Sequence, residues 1–182
     1  MRRRFAVAAA ALALSAALTV PAYAGTWKYV NDQWKYQKGT NKFAYNEWIK
    51  DNGKYYYIGN DGIMKTGWQQ VGGKWYHLSG SGAMQTGWLK DGKTWYYLNQ
   101  SGAMATGWQK VDGAWYYLKS SGAMATGWQK VDGQWYYLAT SGAMAKSQWV
   151  GNYYLTGSGA MATNMWIGKY HVNAAGVWDQ TR

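Results

Sequence analysis

The chain has 182 residues, with 14 Trp and 17 Tyr against two Phe, no Cys, and a formal net charge of +11. Without cysteine it has neither a disulfide framework nor a thiolate metal site, so its stability rests on packing and repetition. A basic chain is drawn to polyanions, and a preference for Trp and Tyr over Phe points to rings that need a polar edge or an electron-rich face.

Met1 to Arg4 form a basic n-region, Phe5 to Val20 an apolar run, and Ala22-Tyr23-Ala24 a small-x-small cleavage pattern. Together they predict a secretory signal peptide over 1–24. The run is shorter than the roughly 18 to 20 residues that span a bilayer, so no integral membrane segment is expected in a mature chain beginning near Gly25. Removing the three arginines of this segment leaves a net charge of 11 − 3 = +8. An exported basic protein meets anionic wall polymers first, and nucleic acid is not an expected partner. The one proline, Pro21, lies in the signal, which leaves no covalent sorting motif containing proline. Retention at a surface is expected to be non-covalent.

From residue 25 to 182 the chain repeats. Units start near Trp27, Trp48, Trp68, Trp88, Trp108, Trp128, Trp149 and Trp166. The first is irregular, with Trp34, Tyr36 and Phe43; the second has Tyr55 where the later ones have a second Trp. The four central units keep a period of 20: Gly-Trp at 67–68, 87–88, 107–108 and 127–128, a second Trp at 75, 95, 115 and 135, and Met84, Met104, Met124 and Met144. The units at Trp149 and Trp166 are shortened. Atypical end units suit a stacked array. Each unit reads as two short strands around a two-residue turn, for which Gly72-Gly73, Asp91-Gly92, Asp112-Gly113 and Asp132-Gly133 supply residues that tolerate positive φ. The fold class expected is all-β, a hairpin repeat solenoid.

A turn at Asp112-Gly113 sets Trp108 opposite Tyr117 and Lys110 opposite Trp115. Strand alternation then puts Trp108, Trp115 and Tyr117 on one face, and Gln109, Val111, Tyr116 and Leu118 on the other. In the unit at Trp88, a turn at Asp91-Gly92 sets Trp88 opposite Trp95 without changing the faces. Converging rings with a nearby Met form a cage for a quaternary ammonium group. Such a cation is recognised by π faces, at about 2 kcal/mol per desolvated cage, with the polarizable thioether as an adaptable wall. Lys90, Lys110 and Lys130 share the Trp face, where they oppose a cation unless they snorkel outward.

Gly-Trp followed by Trp-Tyr-Tyr-Leu and a trailing Ser-Gly-Ala-Met, over nearly all of 25–182, resembles the choline-binding or cell-wall-binding repeat of Gram-positive surface proteins, autolysins and phage lysins. The resemblance implies a left-handed superhelix of hairpins that binds choline or phosphocholine on teichoic or lipoteichoic acid, with no cofactor. It also implies sites built from two Trp of one repeat and the second Tyr of the next, with a Met nearby. Carried over, these are Trp68, Trp75 and Tyr97; Trp88, Trp95 and Tyr117; Trp108, Trp115 and Tyr137; and Trp128, Trp135 and Tyr154, with Met84, Met104, Met124 and Met144. Two sets depart from the pattern: Trp27 and Trp34 with Tyr57, and Trp48 and Tyr55 with His77, whose imidazolium would repel a cation. Asn152 stands where a second Trp belongs, so no full cage is expected at Trp149.

Catalysis is not expected. His77 and His171 are the only histidines, and the eight acids are scattered over different repeats, whereas acid-base or metal chemistry needs them convergent. Two alternatives remain. The rings could be platforms for a glucan or other wall polysaccharide, with Gln69, Gln109 and Gln129 as hydrogen bonders, although the register puts these on the opposite face. Or the chain could be the targeting remnant of a wall hydrolase. The expected location is secreted and retained at the bacterial cell wall.

Overall fold

The computed structural model describes residues 25–182; the expected signal peptide, 1–24, lies outside the described residues. Among these there is no helix, and the protein is all-β. Its strands form eight small antiparallel sheets. The first contains β1 (Thr26–Val30), β2 (Gln33–Gly39) and β3 (Lys42–Phe43). Six hairpins follow: β4 (Glu47–Asp51) with β5 (Lys54–Ile58), β6 (Gly67–Val71) with β7 (Lys74–Leu78), β8 (Gly87–Asp91) with β9 (Thr94–Leu98), β10 (Gly107–Val111) with β11 (Ala114–Leu118), β12 (Gly127–Val131) with β13 (Gln134–Leu138), and β14 (Gln148–Val150) with β15 (Tyr153–Leu155). The last sheet holds β16 (Met165–Ile167), β17 (Tyr170–Val172) and β18 (Trp178–Thr181).

Two kinds of turn build the hairpins. At Asp112-Gly113 and Asp132-Gly133 both central residues have positive φ, between 48° and 82°, as a type I′ turn requires. The resulting register pairs Trp108 with Tyr117 and Lys110 with Trp115, as expected from the sequence. The Trp88 hairpin corrects the sequence reading. Its turn is Gly92-Lys93, Asp91 pairs with Thr94, and Trp88 faces Tyr97 rather than Trp95. Only Gly92, at φ 57°, is left-handed there, which matches a type II′ turn with Gly at its first central position. A turn at Asp91-Gly92 would have set Lys90 directly opposite Lys93, and like charges so placed are destabilising.

The residues fall into two compact units. The described part of the first holds 25–69 and 77–84; the second holds 70–76 and 85–182. In the first unit Tyr36, Ala44, Ile49 and Ile58 form a buried cluster, against which Trp27, Tyr56 and Met64 pack. In the second, Leu98, Leu118, Leu138, Leu155 and Val172 are fully buried, one at the end of each hairpin's second strand. Each such Leu contributes about 1.5–3 kcal/mol through apolar area removed from water.

Neighbouring hairpins of the second unit are joined by backbone hydrogen bonds. The N–H of Met104 donates to Trp75 O, Met124 to Trp95 O, Met144 to Trp115 O and Met161 to Trp135 O, at 2.7–2.8 Å. In each case the loop after one hairpin is tied to the second strand of the hairpin before it. The next residue, such as Ala125, donates to Tyr117 O of its own hairpin. The small residues of the loop have a packing reason: a Cβ at Gly122 would run into the Met104 side chain, and one at Gly142 into Met124.

Candidate functional site

Faces and stacking together decide which rings meet. In the second unit the Trp88 and Trp95 rings stand at 89° with centroids 6.3 Å apart, Trp108 and Trp115 at 89° and 6.4 Å, and Trp128 and Trp135 at 85° and 6.5 Å. A right-angled pair of indoles is a corner in which one cation faces both rings. The second Tyr of each hairpin stays on its own Trp: Tyr97 on Trp88 and Tyr117 on Trp108 at 5.1 Å, and Tyr137 on Trp128 at 5.3 Å.

The ring that reaches each corner from the following hairpin is the first Tyr. Tyr116 lies 4.8 Å from Trp88, Tyr136 4.8 Å from Trp108, and Tyr153 5.1 Å from Trp128. Tyr117, Tyr137 and Tyr154, expected as the tyrosines that complete a site with the preceding repeat, make their ring contacts within their own hairpins. Parity is the cause. The second Tyr shares a face with its own Trp, while the first points the opposite way, toward the preceding hairpin. Tyr154 lies on Trp149 at 5.2 Å.

The backbone also sets each methionine at a particular corner. The backbone bonds place Met124 beside Trp95 and Met144 beside Trp115, each one hairpin earlier than its own Gly-Trp. Met104 sits beside Trp75 in the same way, and Met84 donates to Tyr55 O in the first unit. The Trp128–Trp135 corner consequently receives Met161, which the sequence reading passed over. Its signal was the Gly159-Ala160-Met161 triplet, set 17 rather than 20 residues after the previous Met.

Of the set Trp68, Trp75 and Tyr97, Trp68 belongs to the first unit and the other two to the second. Trp75, Trp95 and Trp135 are among the most exposed large side chains, at 42%, 39% and 40%. Trp88 and Trp128, the ring partners of Trp95 and Trp135, are only partly exposed, as are Trp108 and Trp115. In the first unit, His77 lies on Trp68 at 5.1 Å, in its own hairpin. Trp48 meets Tyr57 at 5.2 Å. Tyr57 donates to Asn46 Oδ1 at 2.5 Å, and burial raises its phenol pKa. Trp27 meets Tyr56 at 4.9 Å, so the ring crossing from the next hairpin is again the first of the pair and not Tyr57. Trp27 also donates through Nε1 to Asp51 Oδ2, and Trp34 O accepts from Met64 N.

The last corner is composed differently. Asn152 occupies a turn position, and its carbonyl accepts from Trp178 N where the earlier repeats have Met donating to Trp. Trp178 thus takes the place of the methionine, and Tyr170 lies 5.8 Å from Trp149 and 5.9 Å from Trp178.

Cations of the chain itself already sit on these rings. Lys90 Nζ is 5.8 Å from the Trp95 centroid, Lys130 Nζ 6.0 Å from Trp135, Lys50 Nζ 5.4 Å from Tyr55, and the Arg182 guanidinium 4.5 Å from Trp166. A ligand cation about 6 Å from such an ammonium is repelled by roughly 0.7 to 3 kcal/mol between the dielectric of water and that of a protein surface. That is comparable to the attraction of the rings, so the lysines bear directly on what binds. The glutamines do not line the rings: Gln69, Gln109 and Gln129 donate to Thr66 O, Thr106 O and Thr126 O of their own chain segments at 3.0–3.1 Å. Among the described residues no group of three acidic, His or Cys side chains could hold a metal ion.

Residues 65–106 and 105–149 match a choline-binding repeat, residues 143–178 match another choline-binding repeat, and residues 46–64 match a putative cell wall binding repeat. The chain belongs to the choline-binding repeat family. Among solved structures it is similar to CbpJ from Streptococcus pneumoniae TIGR4, at 46% identity over 84% of this chain and 57% of that one, with a TM-score of 0.75. It is similar also to choline binding protein F from Streptococcus pneumoniae, at 40% identity over 85% of this chain and 57% of that one, TM-score 0.75. The choline-binding domain of CbpL from Streptococcus pneumoniae matches at 36% identity, over 86% of this chain and 97% of the domain, TM-score 0.63. The chain thus spans little more than half of the CbpJ and CbpF chains. The search of curated proteins found no match.

Proposed function

We propose that this chain is an exported, non-catalytic protein that attaches to the bacterial cell wall by gripping choline groups of teichoic or lipoteichoic acid, with residues 25–182 as the binding array. The observation that carries this reading is the threefold recurrence, in the second unit, of a right-angled Trp pair closed by the first Tyr of the next hairpin and a Met beside the outer Trp. A trimethylammonium group donates no conventional hydrogen bond, and these corners offer π faces and a thioether instead. The proposed sites are Trp88, Trp95, Tyr116 and Met124; Trp108, Trp115, Tyr136 and Met144; and Trp128, Trp135, Tyr153 and Met161. The second tyrosines Tyr97, Tyr117 and Tyr137 back the inner Trp of each. CbpF has been solved in the presence of a peptidoglycan analogue, which is consistent with a wall ligand for a relative.

A glycan reading is disfavoured because the glutamines it would use are bonded to their own backbone away from the rings. Calorimetric titration of the exported chain with choline chloride is expected to give saturable heat with several sites per chain. Trp108→Ala should remove one of them, and glucose oligomers should be silent. Silence with choline and saturation with a glucan would replace the choline reading with the sugar reading.

A further inference from the structure

One corner of the second unit differs from the others in charge. Beside Trp95 and Met124 lies an open cavity of about 540 Å³ whose walls include Lys90, Lys93 and Lys119, and no acidic residue. Lys90 comes from β8 on the Trp face, Lys93 is the second turn residue of its hairpin, and Lys119 follows the last strand residue of the next hairpin. Asp91 alternates with Lys90 along β8 and does not line the cavity. None of the three lysines is in an ion pair among the described residues. The corresponding cavity at Trp135 and Met161 measures about 270 Å³ and has Lys130 as its sole charged wall residue. There Gly133 stands where Lys93 would be and Thr156 where Lys119 would be. At the Trp108 corner the same two places are Gly113 and Ala139.

Three unpaired ammonium groups beside a cation corner make no sense for choline alone, since they repel it. They fit a zwitterion. The geometry points to a phosphate subsite of Lys90, Lys93 and Lys119 joined to the Trp88–Trp95 corner, so that this one site takes phosphocholine, its trimethylammonium on the rings and its phosphate on the lysines. The inference rests on the choline reading of the corners and adds to it an anionic half, confined to one of the repeats. Hydrogen bonds from ammonium to phosphate are charge-assisted and stronger than neutral ones, while the phosphate cancels the repulsion between Lys90 and the bound cation. The subsite selects among choline esters, because an uncharged ester gains nothing there.

Calorimetry of the exported chain with phosphocholine and with choline, at low ionic strength, tests it. One site per chain should hold phosphocholine at least about tenfold more tightly than choline, a preference that shrinks with added salt. In the double variant Lys93→Gly, Lys119→Ala, which installs residues already present at the matching places of the Trp108 repeat, the tight phase should vanish while the number of choline sites stays the same. Equal affinities for the two ligands in the unaltered chain, or a tight phase that survives in the variant, overturns the subsite and leaves the choline reading standing. Silence with choline itself is the separate result that removes the reading beneath it. The same group occurs on wall polymers and on lipid. Lysine-dependent retention on phosphocholine-agarose without sedimentation with phosphatidylcholine vesicles assigns the polymer, and lysine-dependent sedimentation assigns the lipid; either supports the subsite.

Discussion

Trp88 touches Trp95 and Tyr97 of its own hairpin and Tyr116 of the next, all edge-on. A tryptophan here serves as packing and, in the proposed site, would be a ligand wall as well; its outer partner Trp95 is the cleaner probe of binding because it is the more exposed. Trp95→Leu keeps apolar bulk but removes the π face. The expected result is a loss of one choline site, worth about 2 kcal/mol at that corner, with a melting temperature close to that of the unaltered chain. Leu118→Ala should do the reverse: thermal unfolding should show a loss of about 2–5 kcal/mol, because its side chain is fully buried and leaves a cavity. In the first unit, the hydrogen bond from Lys65 holds the Asp61 carboxyl below its ordinary pKa. A depressed carboxylate stabilises the fold above its unfolded value, and the gain is lost as pH falls through the folded value. Asp61→Asn and the unaltered chain should thus differ by less than about 1 kcal/mol at neutral pH, the pair being exposed, and converge in melts taken at pH below the depressed folded value, where both carry a neutral side chain.

Much of the hairpin was legible in the residues. The period of 20, the Asp-Gly turns and strict alternation were enough for the register of β10 with β11, which the structure reproduces pair by pair. The Trp88 hairpin was misread because Asp91-Gly92 and Gly92-Lys93 both look like turns, and the Lys90–Lys93 repulsion that separates them is a cross-strand effect. The faces derived from Trp108 already placed Tyr116 opposite Tyr117. What the sequence did not reveal is that hairpins stack opposite face to face, which is what sends the first Tyr across. Met161 and Trp178 were missed for the same reason: their place depends on a backbone bond between repeats, not on the spacing within one. The loop glycines offer a test at this scale. Gly122 and Gly113 both have φ near +80°, but only Gly122 faces a neighbour, Met104. Gly113→Ala should cost about 1–2 kcal/mol of backbone strain, and Gly122→Ala more, by chemical denaturation.

For the molecule as a whole, sites of modest affinity gain from number. On the proposed function, several corners on one chain meeting a polymer with many choline groups would bind through effective concentration, with an advantage of order 100-fold or more over a single corner. The net charge of +8 expected after export adds attraction to a phosphate-bearing backbone, and this part weakens with salt. The chain should accordingly hold to choline-substituted resin through a salt wash and come off with free choline, since the π contacts persist where the screened ones do not.

The most direct test of the account is a crystal structure of the chain soaked in choline. Density for a trimethylammonium group in the corners of Trp88 and Trp95, Trp108 and Trp115, and Trp128 and Trp135, each walled by Tyr116, Tyr136 or Tyr153, is the predicted result. Empty corners at saturating choline, or choline seated against another face of the hairpins, would contradict it.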